Sequence, residues 1–271
     1  MIRDITLGQY YPGDSWIHKL DPRTKIISVF VFIISLFIVN DFWGFLIATL
    51  VLGVTIGISK VPLKFILRGL KPIFIIIIFT FVINMFMTKG TTLIEIGFLT
   101  ITREGLYRAL FMAARLILLI IGSSLLTFTT KPINLTDGIE KLLNPLRRFG
   151  VPAHELAMMM TIALRFIPTL LEETDKIMKA QMARGADFES GNIMQRAKSL
   201  IPLLVPLFIS AFRIAQDLAM AMEARCYRGG ENRTRMNMMK PGSKDMVAAF
   251  ILLVFLVAII LQSQGMLINL S

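Results

Sequence analysis

Two short segments combine residue types that are suited to binding a carboxylate on another protein. They read Ala183-Arg184-Gly185 and Ala224-Arg225-Cys226. The planar guanidinium of arginine carries a fork of N–H donors that makes two parallel hydrogen bonds to one carboxylate. In both segments a small residue precedes the arginine, which allows a partner surface to approach closely. The six residues are therefore predicted to form a docking site and not a catalytic one.

Each segment is predicted to stand at the end of a long helix. One helical pattern runs from about Ala153 to Arg184, and another from about Ile193 to Arg228. A cation near the last carbonyls of a helix is favoured by ~0.3–1 kcal/mol, so the alternative is that each arginine only stabilises its own helix. The arginine motif recurs 41 residues later in an equivalent setting. This recurrence favours docking.

Prolines and charges modify these two patterns. Pro168 predicts a break or kink in the first. In the second, Leu200–Gln216 is apolar enough to be counted as a membrane span. Arg213, Asp217 and two prolines instead favour a helix that packs on other helices or lies half-sunk at the membrane interface.

The composition predicts a membrane protein. The chain has 271 residues, of which 55% are hydrophobic, and a formal net charge of +11. Its mean hydropathy is +0.69, which is too apolar for an ordinary soluble domain. A nucleic-acid-binding protein would explain the positive charge but not the apolar runs, so no nucleic acid is expected among the partners.

About five transmembrane helices are predicted, because a span needs about 20 apolar residues. The predicted spans are Ile26–Asn40, Phe42–Ser59, Pro72–Met87, Leu106–Thr129 and Met246–Gln262. The stretch Val61–Lys71 is amphipathic and suits the membrane interface.

The distribution of Lys and Arg sets the predicted orientation. Residues 131–245 carry 17 of the 29 basic residues, whereas the segment after Gln262 carries none. The N-terminus is therefore placed in the cytoplasm and the C-terminus outside. Residues 1–130 form a membrane part with four spans, residues 131–245 a cytoplasmic or interfacial region, and residues 246–271 the last span and an outer tail.

The sequence carries no recognisable catalytic chemistry. It has no phosphate-binding G-x-x-x-x-G-K-[ST] loop, no G-x-S-x-G and no H-E-x-x-H motif. The single cysteine, Cys226, has no nearby histidine, and no Cys/His cluster has metal-binding spacing. Ser123 and Ser124 are expected to bond to their own helix. We therefore expect no enzyme activity, no cofactor and no metal site.

Four stretches together resemble a known family. They are 18–25 (HKLDPRTK), 144–148 (NPLRR) with 150–152 (GVP), 165–168 (RFIP), and the two arginine segments. In these stretches the chain resembles the transmembrane T component of energy-coupling factor transporters, which import vitamins and transition-metal ions. The resemblance covers nearly the whole chain.

The resemblance implies an L-shaped, all-α protein with a membrane part and a cytoplasmic coupling part. It implies that the two arginine segments cap coupling helices and dock into two ABC-type ATPase subunits. A separate S component in the membrane would bind the substrate. The sequence departs from the family pattern at Cys226, where glycine is expected, so the end of that helix is expected at Gly229-Gly230.

The implied function is non-enzymatic: transmission of ATPase motion to the S component. The alternative is a stand-alone membrane channel or secondary carrier. Such a protein would carry inverted repeats with broken spans and buried ionisable sites. The sequence shows neither feature.

Overall fold

A computed structural model describes residues 10–39, 41–96, 99–188, 192, 194, 198–229 and 242–263. The chain divides into two compact units. The bundle unit comprises the described residues within 8–138 and 238–271, and the pair unit those within 139–237. These units are defined by contacts between residues and not by a membrane. The predicted division into a membrane part (1–130), a cytoplasmic or interfacial region (131–245) and a last span (246–271) therefore stays a prediction.

The described residues are mainly helical. In chain order the helices are α1 (Pro22–Ile38), α2 (Phe42–Ser59), α3 (Leu63–Leu70), α4 (Phe74–Met87), α5 (Arg103–Thr129), α6 (Pro132–Leu143), α7 (Ala153–Ala183), α8 (Ile201–Ala224) and α9 (Ser243–Ser263). Short 3₁₀ turns at Lys71–Ile73 and Asn144–Phe149 follow α3 and α6. In the bundle unit, Leu36, Ala48, Leu118 and Ile259 bring α1, α2, α5 and α9 into one buried apolar cluster.

The chain is a multi-pass, all-α membrane protein, as predicted. Six segments of the described chain are long and apolar enough to cross a membrane: α2, Leu63–Met87, α5, α7, α8 and Ser243–Gln262. Large apolar side chains also point outward, among them Phe30 at 65% and Phe250 at 66% exposure. Such a surface is stable against lipid and not against water.

Four of the five predicted spans fall on these segments. The first, Ile26–Asn40, coincides with α1, which has 17 residues and so lies at the short end of the range for a span. Asn40 itself lies outside the described residues. The amphipathic stretch forms α3, which continues through a 3₁₀ turn into α4.

Helices α7 and α8 also have the length and composition of a span, although the sequence-based prediction placed both outside the membrane. Length and composition do not by themselves place a helix in a bilayer. The non-spanning assignment of Leu200–Gln216 therefore stays a prediction.

A β-hairpin between α4 and α5 was not predicted. Strand β1 (Thr92–Ile96) pairs antiparallel with β2 (Leu99–Thr102), and Ile96 lies opposite Leu99. The hairpin lies in the connection between the third and fourth predicted spans. Gly97-Phe98 lies outside the described residues, but a Gly-X pair between two runs of strand-forming residues is a hairpin signal in sequence.

Buried polar groups tie the start of α1 to the ends of two other helices. Asp21 caps α1, because its Oδ1 accepts a hydrogen bond from the Arg23 N–H at 2.9 Å. The Asp21 N–H donates to Asp245, in the first turn of α9, at 2.7 Å. Lys25 Nζ donates to the carbonyl of Thr129, the last residue of α5, at 2.9 Å. The HKLDPRTK stretch thus joins three helix ends.

Arg115 donates a hydrogen bond to a backbone carbonyl at another helix end inside the bundle unit. Its Nη2 donates to the carbonyl of Val39, the C-cap of α1, at 2.7 Å. Its guanidinium also lies 5.6 Å from the ring centre of Phe45. An arginine in a span is thereby directed at protein and not at lipid. Ser123 donates to the Ile120 carbonyl in its own helix at 3.1 Å, as predicted.

The pair unit contains α7 and α8. Helix α7 is continuous past Pro168, so the chain does not break there, and the alternative of a kink stays a prediction. Pro206 likewise lies inside α8. Helix α8 ends at Ala224, four residues before the predicted end.

Candidate docking site

The first arginine segment closes α7 in a Schellman motif. Arg184 is the C-cap, with φ −89° and ψ 7°. Gly185 follows in the left-handed region at φ +87°. The Gly185 N–H donates to the Met182 carbonyl and the Ala186 N–H to the Gln181 carbonyl, both at 3.0 Å. These are the two bonds that define the motif, and they confirm Gly185 as the residue that ends the helix.

The second segment closes α8 in the same way. Arg225 is the C-cap, with φ −91° and ψ 11°. The Cys226 N–H donates to the Glu223 carbonyl at 2.8 Å, and the Tyr227 N–H to the Met222 carbonyl at 3.1 Å. Cys226 takes the left-handed conformation at φ +54°. The predicted end at Gly229-Gly230 was wrong: Cys226 itself occupies the position that Gly185 holds in the first segment, and Gly230 lies outside the described residues.

All six predicted docking residues are exposed. In the part of the chain that the structure describes, neither Arg184 nor Arg225 has an ion-pair partner. Each guanidinium therefore stands at a helix C-terminus with its donors available to another molecule. The alanine before each arginine adds no bulk beside it.

The structure does not bring the two segments together. Helices α7 and α8 run antiparallel, since the end of α7 lies near the start of α8 and the end of α8 near the start of α7. Gln181 bonds to Pro202 at one end, and Tyr227 bonds to His154 at the other. From His154 to Arg184 is 30 residues, so the two arginine ends lie about 45 Å apart along the pair.

A proline supplies the contact at the first arginine end. Pro206 has no N–H, so the carbonyl of Pro202, four residues earlier, has no donor from its own helix. Gln181 Nε2 donates to this carbonyl at 3.3 Å. The spacing of Pro202 and Pro206 could have predicted the orphaned carbonyl, but nothing in the sequence identifies Gln181 as its partner.

A polar chain supplies the contact at the second arginine end. The Tyr227 hydroxyl lies 3.3 Å from His154 Nε2, and His154 Nδ1 lies 3.1 Å from Glu140 Oε1. Sequence reasoning missed these residues, because Tyr227 and His154 are 73 positions apart and belong to no motif.

Between these ends the two helices line an open apolar groove with a volume of about 220 Å³. It is lined by Ile162, Phe166 and Leu170 on α7 and by small residues such as Ala211, Ala215 and Ala219 on α8. No group of three or more His, Cys, Asp or Glu residues that could hold a metal ion occurs among the described residues. The site can offer charge and shape to a protein partner.

Known proteins resemble this chain along most of its length. Residues 13–236 match the CbiQ cobalt transport protein family. A relative from Thermosediminibacter oceani, named energy-coupling factor transporter transmembrane protein EcfT, is 66% identical over 251 residues, or 92% of this chain and 94% of the relative. Proteins of the same name from Clostridium kluyveri and Bacillus subtilis are 61% identical over 264 residues (97% and 98% of the two chains) and 49% identical over 247 residues (90% and 93%).

Proposed function

The chain belongs to the cobalt transport protein family, among its energy-coupling factor transmembrane proteins, and on that premise we propose that it is the coupling subunit of an ATP-driven importer. Its two arginine ends dock into two cytoplasmic ABC-type ATPase subunits. Its membrane helices contact a separate S component, which binds a vitamin or a metal ion. The chain itself catalyses no reaction.

The observation that carries the proposal is the matched geometry of the two arginine ends. Both have the same cap residue, nearly the same backbone angles and the same pair of Schellman hydrogen bonds. Two antiparallel helices are related by an approximate two-fold axis, so equivalent ends face two different partner molecules. A pair of related ATPase subunits fits this arrangement.

Docking to a partner and stabilisation of the arginine's own helix involve free energies of different size. An arginine at an exposed helix end stabilises its own helix by ~0.3–1 kcal/mol. Breaking a desolvated arginine–carboxylate pair in a complex costs ~2–5 kcal/mol. If the arginines dock, their removal will therefore weaken the complex far more than the fold. Each ATPase is expected to carry an acidic residue where an arginine end lands.

The proposed orientation places both arginine ends in the cytoplasm, where ATP is available. Residues 131–245 carry most of the basic residues, in accord with the positive-inside rule. Helices α7 and α8 then lie outside the hydrocarbon core or along its interface, and the C-terminus lies outside the cell. The outward apolar side chains of the bundle unit contact lipid and the S component.

The test is purification in mild detergent from cells that express the whole transporter. The wild-type chain should carry its two ATPases and an S component. The double variant Arg184→Glu/Arg225→Glu should lose the ATPases, with binding weakened roughly thirty-fold or more. Lys179→Glu, a charge reversal at an exposed site on α7, is the matched control and should keep them. If the double variant stays folded and retains its ATPases, the docking role is wrong.

A further inference from the structure

A chain of polar side chains holds the second arginine end against the start of α7. Tyr227 follows Arg225 by two residues, at the position where its backbone N–H closes the Schellman motif. Its hydroxyl lies 3.3 Å from His154 Nε2. One residue therefore closes the helix end through its backbone and contacts another helix through its side chain.

The donors and acceptors in this chain can be assigned. A carboxylate only accepts hydrogen bonds, so His154 Nδ1 carries the hydrogen that is donated to Glu140 Oε1 at 3.1 Å. In the neutral ring, Nε2 then accepts the hydrogen bond from the Tyr227 hydroxyl. The His154 and Glu140 side chains are only 24% and 15% exposed, so water competes weakly for these bonds.

We propose that Glu140, His154 and Tyr227 form a positioning bridge that holds Arg225 in its docking geometry and ties it to α6. This proposal rests on the docking role proposed above. The bridge acts only on the second arginine end. Among the described residues, the first is held by Gln181, whose side chain bonds to a backbone carbonyl of α8. The bridge therefore connects α6 directly to the second arginine end, and to the first only through the packing of α7 on α8.

The Schellman hydrogen bonds allow the bridge to be tested without the partners. The Cys226 and Tyr227 N–H groups donate at 2.8 and 3.1 Å, so they exchange with solvent only when this helix end opens. Their hydrogen-exchange rate in the purified full chain therefore reports how often this helix end opens. His154→Ala and Tyr227→Phe should each raise that rate about three- to ten-fold, because each removes a hydrogen bond from a local opening equilibrium.

Two controls separate positioning from general loosening. His154→Gln should restore the wild-type rate, because its amide offers one donor and one acceptor in place of the two ring nitrogens. The Gly185 and Ala186 N–H groups, which donate in the first Schellman motif, report on the first arginine end, and His154→Ala should leave their exchange rate unchanged. Unchanged exchange at Cys226 and Tyr227 in His154→Ala and Tyr227→Phe would overturn the proposal, as would an equal rise at both arginine ends.

ATPase co-purification distinguishes failure of the bridge from failure of the docking role. With both correct, His154→Ala weakens ATPase binding, and His154→Gln recovers it. If Arg225→Glu loses the ATPases while His154→Ala keeps them and exchanges at the wild-type rate, the bridge is wrong and docking stands. If Arg225→Glu keeps the ATPases, docking is wrong, and the exchange rates still decide whether the bridge holds this helix end.

Discussion

The two arginine ends reach one geometry with different residues. At the first, glycine adopts the left-handed conformation at no steric cost. At the second, Cys226 adopts it at φ +54°, where a residue with a Cβ atom pays about 1–2 kcal/mol. The C-cap angles of Arg184 and Arg225 nevertheless agree within a few degrees.

The backbone geometry at the arginine is therefore maintained even where the local sequence opposes it. At the second end the hydrogen bond from Tyr227 to His154 accompanies the strained residue. At the first end no strain has to be offset, and Gln181 bonds to a carbonyl that Pro206 has freed. Equivalent geometry with unequal support indicates a common requirement at both ends.

Cysteine labelling from outside the cell is the strongest test of whether the two arginine ends are equivalent, because each site either reacts or does not. If α7 and α8 crossed the membrane, their antiparallel ends would lie on opposite sides. We expect Cys226 to be shielded from a membrane-impermeant maleimide in intact cells. In a Cys226→Ser background, Ala186→Cys should be shielded too, and Lys89→Cys, next to the hairpin, should react.

Permeabilised cells provide the control for this prediction, since all three sites should then react. Reaction of only one arginine end from outside would mean that the two ends face different compartments. They could not then serve two ATPases on one side of the membrane.

Conservative replacement of the arginines is expected to have the next largest effect. Arg184→Lys and Arg225→Lys keep the charge but lose the fork that bonds a carboxylate through two N–H groups. Each should weaken ATPase binding about ten-fold, the loss expected for one charge-assisted hydrogen bond. Titration of ATPase onto the purified chain measures this. A large loss in one variant and none in the other would show that the ends are not equivalent.

Exchanging the left-handed residues should change stability in opposite directions. Gly185→Ala introduces a Cβ atom at φ +87° and should lower the free energy of unfolding by about 1 kcal/mol. Cys226→Ala should be nearly neutral, because both residues carry a Cβ atom. Cys226→Gly should gain about 0.5 kcal/mol, since relief of strain is partly offset by the entropy of glycine in the unfolded chain. Thermal unfolding in detergent measures all three, and equal losses at both positions would contradict this account.

The smallest effect concerns the proline contact at the first arginine end. Gln181→Ala should cost only about 0.5 kcal/mol of stability, because the bond is exposed and water can partly replace the lost donor at the Pro202 carbonyl. In a Pro206→Ala background the helix supplies its own N–H to that carbonyl, so the same substitution should cost almost nothing. A double-mutant cycle by thermal unfolding measures this coupling, and additive effects would mean that Gln181 does not serve the orphaned carbonyl.

Features encoded within a few neighbouring residues were predictable. The apolar runs gave the positions of α2, α5 and α9, and Gly185 gave the end of α7. The end of α8 was missed because cysteine rarely adopts positive φ, and only the surrounding structure holds it there. The hairpin was missed because the sequence-based prediction assigned no secondary structure between the third and fourth spans. The contacts of His154 with Tyr227 and of Gln181 with Pro202 depend on how α7 and α8 align, which no local pattern records.

The hydrogen bonds that Gln181 and Tyr227 make at opposite ends of the α7–α8 pair also set its resistance to shear. If one helix slid along the other by a single residue, about 1.5 Å, both bonds would move out of register together. Between these points α8 faces α7 with small side chains, such as Ala215, and larger ones, such as Leu218, so the two bonds add to the resistance of this packing. Because the two helices are bonded at both ends, the pair is expected to move as one rigid body. A displacement of one arginine end then also displaces the other.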